Sequence, residues 1–133
     1  MSITIYHNPD CGTSRNTLAM IWASGEEPLV VEYLHAGWTP ELLRRLSNEI
    51  GVPLRDLIRE KGTPARELGL LEDATSDEAI IAAMVDHPII VNRPIVTAPK
   101  GARLCRPSEV VLGLLDNPPT TFTKEDGEVV VPV

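Results

Sequence analysis

Chemistry is most legible near the start of the chain, in the run Ile5-Tyr-His-Asn-Pro-Asp-Cys-Gly-Thr-Ser-Arg-Asn-Thr-Leu18. A short β-rich run, Ile3–His7, ends at the turn-forming Asn8-Pro9-Asp10. Cys11 follows, and a helix is expected to begin with Thr13, Ser14 and Arg15. A thiol between a strand end and a helix start faces unpaired backbone N–H groups and the positive end of the helix dipole. Both favour the thiolate, which is the nucleophilic form of cysteine. The same N–H groups suit a tetrahedral oxyanion. One loop therefore combines a nucleophilic sulfur with an anion cradle.

The neighbours of Cys11 restrict what that sulfur can do. Ser14 stands where a dithiol oxidoreductase of the Cys-x-x-Cys type carries its second cysteine, so the loop has no resolving thiol of its own. A redox cycle would need a thiol from elsewhere, with glutathione the obvious candidate. A phosphatase-type loop needs arginine six residues after the cysteine, and that position is Thr17. His7, four residues before Cys11, could lower the thiol pKa if protonated or orient an anion; it could equally hydrogen-bond backbone at the strand end. The second thiol, Cys105, closes an apolar run and reads as a small buried hydrophobe. Two cysteines without clustered histidines give no zinc-ligand spacing, and no metal site is expected.

Nine of the twelve basic residues are arginine, whose fork matches an oxyanion bidentately where lysine cannot. Arg59, Arg93 and Arg106 recur where the expected fold returns towards the Cys11 loop. Spacing alone does not select them over Arg55, Arg66 or Arg103.

The elements needed to hold these residues can be read along the chain. Thr17, Leu18, Ile21 and Trp22 follow helical spacing up to Ser24-Gly25, and Leu29–Tyr33 reads as a second strand. That order predicts parallel pairing through a right-handed crossover. Thr39-Pro40-Glu41 opens a helix that Gly51 closes. Pro53–Lys61 reads as a further helix, and Ser76–Asp86 as another with Thr75-Ser76-Asp77-Glu78 at its capping start. The run from His87 to Val96 is expected to be extended, with a turn at Lys100-Gly101, a strand over Ala102–Cys105 and a last helix from Pro107 to Leu115. After Asn117-Pro118-Pro119 comes a polar tail ending in Val129–Val133.

The total is βαβ, a helical block, then ββα. This predicts an α/β, thioredoxin-like fold: a mixed four-stranded sheet with helices inserted between its halves, one domain over 1–133 with a C-terminal tail from about 117. Thioredoxin-like folds place a cis-proline facing the active cysteine, and Arg93-Pro94 occupies that place. Hydrophobic residues make up 43% and charged residues 23% of the chain, as in ordinary globular domains. The net charge of −7 argues against a general nucleic-acid surface. No basic leader with an apolar stretch opens the chain, and no run reaches membrane-spanning length, so a cytoplasmic protein is expected.

Three segments, Tyr6–Thr17, Asn92-Arg-Pro-Ile-Val96 and Leu104-Cys-Arg-Pro-Ser-Glu-Val-Val111, closely resemble the glutaredoxin-linked arsenate reductases. Phe122-Thr-Lys-Glu-Asp-Gly-Glu128 is similar to that family's C-terminal segment. The resemblance implies that Cys11 attacks arsenate to give a cysteine–arsenate ester, helped by His7. It implies that Arg59, Arg93 and Arg106 bind the oxyanion and then the arsenite product, with Ser14 and Arg15 contributing from the loop. Glutathione would be a cosubstrate, glutaredoxin a protein partner, and no cofactor would be bound. The alternatives are a thioredoxin-like relative without arsenate activity: a glutathione-dependent thiol-transferase or a protein-binding redox regulator.

Overall fold

A computed structural model describes residues 2–131. The chain forms two compact units, Met1–Glu32 with Arg93–Val133, and the intervening Tyr33–Asn92.

In the first unit, β1 (Thr4–His7) leads into α1 (Gly12–Ala23) and returns as β2 (Leu29–Glu32). β1 and β2 are parallel, with Ile5 opposite Val30 and His7 opposite Glu32. β3 (Ile95–Ala98) runs antiparallel to β1, and β4 (Gly101–Leu104) antiparallel to β3. The sheet order is β2-β1-β3-β4. A mixed four-stranded sheet with this connectivity is the thioredoxin-like arrangement expected from the element order. Its core joins Ile3 and Ile5 of the first strand segment to Met20 and Ile21 of α1, Val96 of β3, and Val111, Leu112, Leu114 and Leu115.

The expected last helix is instead a 3₁₀ segment, Ser108–Leu114, with i→i+3 bonds from Val110 N–H to the Pro107 carbonyl and from Leu115 N–H to the Leu112 carbonyl. The buried set explains the tighter winding. Ser108, Val111 and Leu114 recur every third residue, the period of a 3₁₀ helix, with Leu112 buried beside them. The tail also carries structure that its composition did not suggest. β5 (Phe122–Thr123) and β6 (Val129–Val130) form a small antiparallel hairpin, and Val130 is buried. Of the terminal apolar run Val129–Val133, Pro132 and Val133 lie outside the described residues.

The second unit is the inserted block. After the short α2 (Tyr33–Ala36), α3 (Pro40–Ile50) begins at Thr39, whose side chain accepts from Leu42 N–H. It ends at Gly51, which takes the left-handed conformation (φ +83°) that a side chain would disfavour. α4 (Asp77–Asp86) is capped by Ser76, which accepts from Ala79 N–H. The expected helix over Pro53–Lys61 is a single 3₁₀ turn, Leu54–Leu57. Backbone pairing takes the rest: Ile58 bridges Val91, Arg59 N–H donates to the Ile90 carbonyl, and Asn92 N–H donates to the Leu57 carbonyl. The same pairing corrects the extended reading from His87. Pro88–Ile90 forms a 3₁₀ turn directly after α4, and strand geometry resumes only at Ile95.

Candidate active site

Cys11 is the N-cap residue of α1, in extended conformation (φ −103°, ψ 119°), and is only 9% exposed. The loop before it is fixed by backbone geometry. Cys11 N–H donates to the Asn8 carbonyl at 3.0 Å, closing a turn across Pro9-Asp10. Asp10 N–H donates to Asn8 Oδ1 at 2.9 Å, and Asn8 N–H donates to Ser14 Oγ at 3.1 Å. Arg15 N–H then donates to the Cys11 carbonyl at 2.9 Å, the first bond of the helix. The sulfur therefore sits at the amino end of α1, where helix N–H groups lack carbonyl partners.

Four influences set the ionisation of Cys11. Burial is the largest and works against the thiolate. The Ser14 backbone N–H and the Arg93 and Arg106 guanidinium groups oppose it, and together they bring the thiol below its ordinary value. The sulfur makes no formed cap hydrogen bond of its own, so the Ser14 N–H is a group poised for charge on the sulfur or on an incoming anion. Arg106 Nη1 lies 3.7 Å from Cys11 Sγ and also donates to the Arg93 carbonyl at 2.9 Å.

Arg93 and Arg106 each precede a cis-proline, Pro94 and Pro107. The sequence left the isomer of Arg93-Pro94 open, fold analogy alone suggesting cis, and no sequence signal pointed to the second. The two arginines flank the β3–β4 hairpin at its open end, each two residues beyond the Ile95–Leu104 pair. The β3–β4 register thus brings together residues thirteen positions apart, and Arg106 Nη1 reaches the Arg93 carbonyl.

His7 and Ser14 are buried, and His7 Nδ1 lies 2.6 Å from Ser14 Oγ. Burial is the main influence on the imidazole and pushes its pKa down; Glu32 opposes this and Arg15 adds to it. The ring is therefore neutral near pH 7. Its Nδ1 meets Ser14 Oγ, and the positive charge that favours the thiolate comes from arginine. Because the native imidazole resists protonation more than an unfolded one, the contribution of His7 to stability is fully present above about pH 6.5. It falls as the pH drops from there through the native pKa. His7→Asn, which retains a polar partner for Ser14, should lose less stability between pH 7.5 and 5.5 than the wild type, read by urea unfolding.

Arg15 is half exposed and turned onto Glu125 of the C-terminal hairpin, with Nη1 donating to the Pro9 carbonyl at 2.9 Å. Arg59 belongs to the second unit, where Nε donates to the Lys61 carbonyl at 3.2 Å and Nη1 to Asn92 Oδ1 at 3.4 Å. Cys105 is fully buried, and burial lifts its thiol pKa to about 12. It is held out of thiolate chemistry near neutral pH. Asn8, read in the sequence only as part of a turn, orders the loop with both side chain and backbone. Its position before Pro9 was the available signal. Among the described residues no group of three His, Cys, Asp or Glu side chains could hold a metal ion, and no helix is long and apolar enough to cross a membrane.

A thioredoxin-like sheet presenting one activated cysteine to two arginines defines a class of thiol enzyme. Comparison with known proteins places the chain within that class. It belongs to the ArsC family, whose model matches residues 6–114. It is 56% identical to the arsenate reductase of Rhizobium meliloti (strain 1021) over 132 residues, covering 98% of this chain and 94% of that one. Against the arsenate reductase of Escherichia coli (strain K12) the identity is 53% over 131 residues, covering 98% and 93%. Among solved structures, an arsenate reductase from Vibrio cholerae superposes with a TM-score of 0.82 at 42% identity, covering 86% of this chain and 98% of that one.

Proposed function

We propose that this chain is a cytoplasmic arsenate reductase that uses glutathione and glutaredoxin. The observation that carries the reading is the sulfur of Cys11, faced by the Ser14 N–H and the Arg93 and Arg106 guanidinium groups, in a member of the ArsC family. Arsenate is a tetrahedral anion with a replaceable oxygen, which such a constellation can bind and attack.

In this reading the Cys11 thiolate attacks arsenic as an arsenate hydroxyl takes a proton from solvent and leaves as water, giving a cysteine–arsenate ester. Arg93 and Arg106 balance the charge on the remaining oxygens, and the Ser14 N–H serves as a fixed donor. His7 orients the loop through Ser14. Arg59 and Arg15 enter the oxyanion set on the resemblance of their motifs. Ser14 cannot supply a second thiol, so glutathione attacks the arsenic next. A glutaredoxin thiol then takes up the glutathionyl sulfur. The S–As bond breaks as the glutathione–glutaredoxin disulfide forms, and the two electrons the thiol sulfurs give up pass to arsenic, which falls from +5 to +3.

A coupled assay tests this directly, following NADPH consumption with glutathione reductase, glutathione and glutaredoxin. Consumption should depend on arsenate and stop when either glutathione or glutaredoxin is omitted. Turnover of a disulfide substrate without any response to arsenate would make the chain a thiol-transferase instead.

A further inference from the structure

The C-terminal hairpin reaches the Cys11 loop through one carboxylate. Glu125, between β5 and β6, receives the Arg15 fork: Nε donates to Oε2 at 2.9 Å and to Oε1 at 3.2 Å, and Nη2 donates to Oε1 at 3.0 Å. The backbone of Glu125 is held as well, its N–H donating to Asn16 Oδ1 at 3.0 Å. Two consecutive residues of α1 thus grip one residue of the hairpin. Glu125 is one of several attachments of the hairpin, which also buries Val130. Lys124, only 10% exposed, sets Nζ 2.7 Å from Glu109 Oε1 and 3.2 Å from Glu128 Oε1.

The carboxylate stands beside the first residue of α1. A Cβ built on Gly12 would lie 3.7 Å from Arg15 Nη2 and 3.9 Å from Glu125 Oε1. Gly12 is the first residue of α1 and the immediate neighbour of Cys11. A negative charge therefore stands at the helix end whose N–H groups and dipole would receive an anion. It also occupies the fork of the arginine nearest the nucleophile in sequence. A carboxylate and a tetrahedral oxyanion are alternative ligands for the same guanidinium face.

We propose that Glu125 sets the oxyanion affinity of the Cys11 site by occupying Arg15, as an internal competitor for the arginine an incoming dianion would recruit. The inference rests on the reading of the Cys11 loop as an oxyanion site. Residue 125 lies beyond the segment matched by the family model, which ends at 114.

Inorganic phosphate is the probe, and the readout is its protection of Cys11 against iodoacetamide. The half-protecting concentration is independent of how fast the free thiol reacts, and buried Cys105 does not interfere. E125Q keeps an acceptor for Arg15 and both other hairpin attachments, and a thermal melt matching the wild type checks its fold. E125Q should be half-protected at about three- to tenfold less phosphate at low ionic strength, with the gap closing in high salt as exposed charges are screened. E125D, which keeps the charge, should stay near the wild type. In an Arg15→Met background, adding E125Q should change nothing. Equal protection of wild type and E125Q would reduce the pair to a surface fastening and overturn the proposal. So would an E125Q effect that persists without Arg15. Failure of both phosphate and arsenate to protect any variant would remove the oxyanion site itself, a result distinct from either.

Discussion

Replacing Cys11 with serine is expected to lower arsenate-dependent NADPH consumption by roughly a millionfold, the scale seen when an enzyme nucleophile is removed. In practice the rate would fall below detection. A serine hydroxyl stays protonated near neutral pH, so the Ser14 N–H, Arg93 and Arg106 would have no anion to stabilise. The control is built into the position. Cys11 is an N-cap residue, and serine is among the best N-caps. C11S should therefore melt at or above the wild-type temperature while losing all turnover. Thiol counting adds an independent check. The native wild type should take up one iodoacetamide near neutral pH and C11S none, because Cys105 is buried with its thiol raised to about 12. Residual arsenate reduction by C11S would end the proposed mechanism.

Arg106→Ala should produce the next largest effect. One nitrogen, Nη1, serves both the Cys11 sulfur at 3.7 Å and the Arg93 carbonyl at 2.9 Å. Truncation removes a cation from the nucleophile and from the oxyanion, and it releases the backbone beside the other site arginine. Loss of a preorganised donor to developing charge typically costs about 10²–10³ in rate. We expect kcat/KM for arsenate to fall by that factor. The pH midpoint for alkylation of Cys11 should rise, since a group that lowers the thiol pKa is gone. The missing hydrogen bond to Arg93 should cost about 1 kcal/mol of stability, too little to unfold the protein. Arg106→Lys restores the charge but not the fork. It should recover the thiol midpoint better than the arsenate KM. Unchanged arsenate kinetics in both variants would take Arg106 out of the site.

How far the sequence disclosed this site follows from what each feature depends on. The Cys11 loop was readable because its determinants are local: a strand end, Asn8-Pro9-Asp10, and a helix start within ten residues. α3 and α4 were readable for the same reason, through Thr39-Pro40 with Gly51 and through Ser76. Arg93 and Arg106 were chosen by resemblance, because spacing could not separate them from Arg55, Arg66 or Arg103. What joins them is the β3–β4 register, a non-local property. The segment from Pro53 failed as a helix because Ile58, Arg59 and Asn92 pair their backbones with partners some thirty residues away. Helical periodicity in Leu54, Leu57 and Ile58 carries no trace of that competition. The Glu125–Arg15 contact spans 110 positions and left no pattern either. His7 was legible as a candidate, whereas its neutrality depends on burial, which only the fold supplies.

The β3–β4 hairpin works as a caliper. Its two jaws are Arg93 and Arg106, and its pivot is the Ala98–Gly101 pair at the far end. The gap between the jaws is fixed by strand pairing and by the Cys105 N–H bond to the Pro94 carbonyl, not by the turn. Residues added or lost at Pro99-Lys100 leave the gap unchanged, because each strand keeps its partners. A slip of one position along the strands would carry one arginine past the other and turn its side chain to the opposite face. The spacing of Arg93 and Arg106 is thus specified by a ladder of backbone hydrogen bonds, which leaves the distal turn free to diverge.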